Sequence, residues 1–209
     1  MHGQGGDLRT WDRLWTFLPG NRRLVRYDLR GFGGSVATAD QRYRHSEDLV
    51  ELLDALSIEK IDLVGVSMGG GIALSFALDH PLRVRSLILI SPQIAGWEWS
   101  VPWQMRWQSI VEAARSGRMA HAKRLWWDHP MFASTRDSEA VADLRDEIER
   151  FEGRQWIADG HALVMSLGRK QETESRFALR KEWPRASGWR RFRPRRAASA
   201  AGDAARTRA

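Results

Sequence analysis

Between Lys60 and Leu78 the chain changes periodicity within five residues. Lys60 to Val66 is an apolar run rich in Val, Ile and Leu without helical spacing, and Gly70 to Leu78 carries a helical pattern that stops before Pro81. Between them stands Gly65-Val66-Ser67-Met68-Gly69. A strand can turn this sharply into a helix only where small flanking residues let the two backbones pass closely. A strand that runs straight into a helix is the first half of a βαβ unit, so the next strand should lie parallel to the first through a right-handed crossover. Two further apolar runs, Arg22 to Leu29 and Val84 to Ile90, extend the series. Near-continuous apolar runs suit parallel strands covered on both faces. Ahead of them lie amphipathic stretches, with Leu8, Trp11, Leu14, Trp15 and Leu18 in one and Leu49, Leu52, Leu53 and Leu56 in the other. Asp7 and Ser46 stand where N-caps are expected. The alternation of helix and strand predicts an open parallel α/β sheet.

After Ser91 the texture changes. Residues 97–180 are rich in Trp and carry no strand signal, with helices expected over Pro102–Ser116, Arg118–Trp127 and Ser138–Glu152 and C-terminal caps at Gly117 and Gly153. The expected organisation is an α/β core over 1–96, an all-helical lid over 97–180 and a disordered tail over 181–209. The tail holds the charge. Of 33 basic and 26 acidic side chains, eight arginines and one acid fall between Arg185 and Ala209, which leaves the body with 25 of each and no net charge. Beyond Leu179 there is no Leu, Ile, Val or Met, so this stretch cannot bury a core. Sixteen of its last 25 residues are Arg or Ala, and the break is abrupt, so we expect a reading-frame origin for the tail. Without cysteine, thiolate metal sites, disulfides and cysteine nucleophiles are excluded. No apolar run reaches the roughly 20 residues of a membrane span, and Met1 to Asp7 lacks the layout of a signal peptide. A soluble, cytoplasmic protein without membrane or nucleic-acid partners is expected.

The chemistry concentrates at Ser67. A serine on a strained strand-to-helix turn holds its hydroxyl clear of both elements, and the N–H of Met68, at the positive end of the next helix, faces where an oxyanion would form on an attacked carbonyl. Two upstream segments add to it: His2-Gly3-Gln4-Gly5-Gly6, and Tyr27-Asp28-Leu29-Arg30-Gly31-Phe32-Gly33-Gly34-Ser35. With these three motifs, over residues 2 to about 95, the chain resembles the α/β-hydrolase fold family. The resemblance implies Ser67 as catalytic nucleophile, oxyanion-hole N–H groups at Gln4 and Met68, no cofactor and no metal. It implies hydrolysis of a carboxylic ester, thioester or lactone through an acyl-serine intermediate, with an apolar small molecule as partner. Trp103 and Trp107, on a helix of the lid, are the candidate substrate-binding residues. A serine at the elbow argues against the epoxide hydrolase and haloalkane dehalogenase branches, which place an aspartate there.

The family's order runs serine, acid, histidine, and the chain departs from it. An apolar strand carrying the acid is expected near residue 185, where the sequence reads Arg185-Ala186-Ser187-Gly188-Trp189. Met1 falls where the family's third strand is already under way, so truncation at both ends is expected. Of the six histidines, His2 belongs to the oxyanion loop, His45 and His80 read as caps or surface groups, and His121, His129 and His161 lie in the lid. Asp28 is expected to brace its own loop, and Glu98 is a weak candidate acid. Two rivals follow: a non-catalytic remnant of such a hydrolase, and a nucleic-acid binder working through its arginine-rich tail.

Overall fold

A computed structural model of the chain describes residues 1–37, 43–94 and 98–157. The chain opens with the loop 1–7 and a 3₁₀ turn, Leu8–Trp11, that runs into α1, Asp12–Trp15. Asp7 caps the turn, its carboxylate accepting the Arg9 N–H at 2.7 Å. The expected single helix from Leu8 to Leu18 is therefore two short pieces. Next come α2, His45–Ala55; β1, Ile61–Val66; α3, Met68–Asp79; and β2, Val84–Ile90. β1 and β2 are parallel, with Leu63 beside Leu87 and Val66 beside Ile90. Leu49 and Leu53 of α2, Leu63 of β1, Ala73, Phe76 and Ala77 of α3 and Val84 of β2 form one buried cluster. This is the parallel α/β arrangement that the apolar runs predict.

Two local expectations are corrected. Arg22–Leu29 is not a strand among the described residues. A ladder needs a neighbour, and the backbone beside β1 on that side is Met1, whose carbonyl accepts the Val66 N–H at 3.2 Å and whose amine donates to the Val64 carbonyl at 2.6 Å. Ser46 is not an N-cap. α2 starts earlier, capped by the extended Arg44, because the His45 ring is buried against Phe32 and Tyr43 and draws the first turn inward.

The rest of the described chain is helical: α4, Val101–Arg115; α5, Met119–Trp127; α6, Ala133–Arg136; α7, Val141–Arg150; and α8, Arg154–Ile157. Gly117 follows α4 at φ 77°, the left-handed geometry of a C-terminal cap, with its N–H on the Ala114 carbonyl at 3.0 Å. The cap expected at Gly153 is corrected: α7 ends at Arg150 with extended Phe151 as its cap residue, and Gly153, at φ 73°, precedes α8, whose Trp156 N–H bonds its carbonyl. This layer packs on the start of α3: Leu29, Phe32, Met68 and Ile72 share a buried cluster with Ile110, Trp126, Ile148, Phe151 and Trp156. No helix among the described residues is long and apolar enough to cross a membrane. The tail expected over 181–209 lies outside the described residues.

Candidate active site

Ser67 occupies the single-residue junction of β1 and α3, with φ 52° and ψ −118°. That geometry is costly for a residue with a Cβ, of order 1–3 kcal/mol, and persists only where the surroundings over-determine it. They do so here from β2, the segment after it and α3. The Ser67 N–H donates to the Ile90 carbonyl at 2.9 Å, and the Ser67 carbonyl accepts from Gly71 at 3.1 Å and from Gln93 at 2.9 Å. The flanking glycines are sterically obligatory. A Cβ on Gly65 would collide with the Gly69 backbone, and one on Gly69 with the His2 carbonyl and, at 2.6 Å, the Met1 carbonyl. Met68 is the first residue of α3 and fully buried, so its N–H lies at the helix's positive end beside Ser67.

The loop 1–6 is laid across this elbow. A Cβ on Gly3 would stand 3.3 Å from Ser67 Cβ and 3.8 Å from Ser67 Oγ, so Gln4 begins one residue beyond the contact. His2 holds the loop in place. The Leu29 N–H donates to His2 Nε2 at 3.0 Å, which leaves the proton on Nδ1 to donate to the Gly3 carbonyl at 3.0 Å. With both ring nitrogens engaged and the ring fully buried edge-on to Phe32, burial pushes its pKa down to about 4. His2 is a structural pin and has no free nitrogen for a proton from Ser67.

Asp28 braces the loop that follows it, as expected: its carboxylate accepts the Leu8 N–H at 2.7 Å and the Gly34 N–H at 2.8 Å. Arg30 turns away to a two-point ion pair with Asp48. The reading of His45 as a cap or surface group is corrected, because the side chain is buried; the signal was the aromatic pair Phe32 and Tyr43 that covers it. His80 is the C-cap residue of α3, packed on Phe76. Glu98 is exposed, His121 half-buried on α5, and His161 lies outside the described residues. Among the described residues, no histidine hydrogen-bonds the Ser67 hydroxyl.

Trp103 and Trp107 are half-buried on α4 and stack at 5.7 Å, continuing a column from Trp99 at 4.1 Å. Trp107 meets Trp126 edge-on at 5.9 Å, and Trp103 meets His129 in the same way at 6.2 Å. His129 is buried, its Nδ1 accepting the Met131 N–H at 3.3 Å. Sequence periodicity found the indoles but not this histidine, whose burial depends on α4 and α5 meeting.

A parallel strand, a serine at positive φ and a helix running straight from it, under a layer of helices, define a hydrolase-type α/β architecture. The model of the alpha/beta hydrolase fold matches residues 1–187, and the chain belongs to that family. It is 43% identical over 96 residues to the 2-hydroxymuconate semialdehyde hydrolase of Pseudomonas sp. strain CF600, spanning 43% of this chain and 34% of that protein. It is 45% identical over 182 residues to the dihydrolipoyllysine-residue acetyltransferase component of the acetoin cleaving system of Pseudomonas putida, spanning 86% of this chain and 47% of that protein. Among solved structures, a hydrolase from Pseudomonas aeruginosa PA01 superposes with a TM-score of 0.60 at 26% identity, covering 78% of this chain and 62% of that one. The chain thus spans a third to a half of the length of these curated relatives.

Proposed function

We propose that this chain is a serine hydrolase acting on a carboxylic ester, thioester or lactone through an acyl-serine intermediate. Ser67 Oγ attacks the carbonyl carbon, the developing oxyanion is held by the N–H groups of Gln4 and Met68, and the alcohol, thiol or ring oxygen leaves with a proton. Water then releases the acid and restores the serine. Trp103 and Trp107 supply an apolar roof for the acyl part. Residues 1–96 act as the core and 97–180 as the lid. The mechanism calls on no metal or cofactor. The observation that carries this reading is the φ of 52° with ψ −118° at Ser67, a strained pairing held at the strand-to-helix junction by bonds to Ile90, Gly71 and Gln93.

The names of the relatives bear on the final acceptor. One is named for hydrolysis and the other for transfer of an acetyl group, and an acyl-serine can be discharged to water or to another nucleophile. A second reading, a non-catalytic remnant, is favoured by the engagement of both His2 nitrogens, which leaves Ser67 without a base among the described residues. Losing a general base typically costs about 10²–10⁴ in rate. The test is labelling with a fluorophosphonate and turnover of p-nitrophenyl esters, in the chain as it stands and in Ser67→Ala. The hydrolase reading expects a covalent adduct and a slow, saturable turnover, both lost in Ser67→Ala with the melting temperature kept. Equal turnover in the two proteins would place the nucleophile elsewhere, and the absence of both signals would leave the remnant. Product analysis with and without added alcohol separates hydrolysis from transfer.

A further inference from the structure

The loop that carries Gln4 has a second face. Gly5 and Gly6 line a cavity of about 190 Å³ at the seam between the core loops and the helical layer, closed by Gly31, Phe32 and Gly33 on one side and by residues 150–155 on the other. None of the residues proposed for acyl chemistry lines it. Three guanidiniums do: Arg9 from the core, Arg150 from the end of α7 and Arg154 from α8. Against them the described lining residues hold one carboxylate, Glu152, which is exposed and ion-paired with Arg154.

The acids behind the wall are already committed. Asp7 takes Arg9 at two points, 2.7 Å to Nη2 and 3.1 Å to Nε, and has Arg150 at 3.6 Å. Burial works against the Asp7 charge, and the bonds from Arg9 outweigh it, holding the carboxyl below its usual range. Asp28 accepts the backbone N–H groups of Leu8 and Gly34. Glu147 is half-buried and accepts the Thr10 hydroxyl at 2.8 Å.

Phe32 and Phe151 stack at 6.4 Å and 20° to make an apolar wall. Gly5, Gly31 and Gly33 stand at φ 82°, 85° and 49°, and an added Cβ would meet Trp126, Tyr43 and the Asp28 carboxylate respectively, so the lining loops are held close against their neighbours. An apolar wall with a guanidinium rim fits a small carboxylate on an apolar stem, because the planar fork of Arg pairs with a carboxylate at two points. We propose that the seam cavity binds a small carboxylic acid anion, clamped by Arg9 from the core and by Arg150 and Arg154 from the helical layer. Its occupant ties the two layers together.

The proposal stands on the cavity and not on the chemistry assigned to Ser67, so it is tested by binding. Hexanoate titrated into the full chain by calorimetry, with hexanol as the uncharged control, should bind saturably while hexanol does not. Arg154 is exposed and among the described residues pairs with exposed Glu152, so Arg154→Ala should leave the fold intact and weaken hexanoate about tenfold, and Arg154→Glu should leave the fold intact and abolish binding. Arg9→Lys keeps a cation beside Asp7 but offers no guanidinium edge beyond that pair, and should weaken binding. Ser67→Ala should bind as the parent does. Absence of saturable binding, equal affinity for hexanol, or an unchanged affinity in Arg154→Glu overturns the proposal. Ethyl hexanoate added to Ser67→Ala says where the carboxylate comes from. Competition with hexanoate makes it part of the substrate, and simultaneous binding makes it a separate acid. If hexanoate binds and no ester is turned over, the cavity stands and the acyl-serine reading falls.

Discussion

His2 shows what one buried side chain does for the site. Its two nitrogens join the Gly3 carbonyl to the Leu29 N–H, and so tie the loop that covers Ser67 to the loop braced by Asp28. The ring stays neutral in the fold down to about pH 4, whereas an unfolded histidine protonates near 6.5. Between these values the unfolded chain binds the extra proton, so stability must fall as pH drops from about 6.5 to about 4, by up to ~3 kcal/mol in all. Urea unfolding at pH 7 and pH 5 checks this, and the slope should flatten in His2→Gln. At this scale the sequence was legible where chemistry fixed the residue. Ser67, its glycines and the Asp28 brace could be read from spacing. The burial of His45 was only half legible: Tyr43 stands two residues away, but Phe32, which closes the other side of the ring, comes from the preceding loop.

At the scale of elements, the junction of β1 and α3 is a crossing of backbones in which Gly65 faces Gly69 and Gly70 without room for a methyl. Gly65→Ala must part strand from helix or bend both. The clash is with main chain, which no rotamer change relieves, so the expected loss is about 3 kcal/mol or more, at the upper end of overpacking. Thermal melts of Gly65→Ala beside Gly20→Ala, where nothing lies within 4 Å of the added Cβ, measure it. The run Arg22–Leu29 teaches the limit of reading elements from composition. The apolar Leu24, Val25, Tyr27 and Leu29 state a preference, but a strand exists only when a neighbour supplies the ladder, and that neighbour is not part of the local sequence. In the upper layer α4 was legible because its punctuation is local, in Gly117, whereas α7 stops at Arg150, short of the expected Glu152, because Phe151 turns extended into the buried cluster.

For the whole molecule the governing fact is the separation of charge along the chain. With 25 basic and 25 acidic side chains in residues 1–184, any affinity of this protein for a polyanion should reside in residues 185–209. Heparin or duplex-DNA retention should fall steeply with salt and disappear when those residues are removed. Retention by residues 1–184 at moderate salt would mean that the described arginines form a patch of their own. The two buried clusters meet at Met1 and Tyr27, which pack against both, so the α/β layer and the helical layer share their central side chains.

The same long-range contacts set an order of events during synthesis. Thr10 waits for Glu147, 137 residues later, and Gly31 waits for Gln155, 124 residues later. At ribosomal speeds of about 5–20 residues per second, the loop bearing His2 and Gln4 stays uncovered for on the order of ten seconds after it is made. During that interval the elbow can form from β1, α3 and β2, while Phe32, Met68 and Ile72 still face water. A nascent chain halted before Phe151 would therefore expose these residues to chaperones, and release of the last helices would withdraw them in a single step.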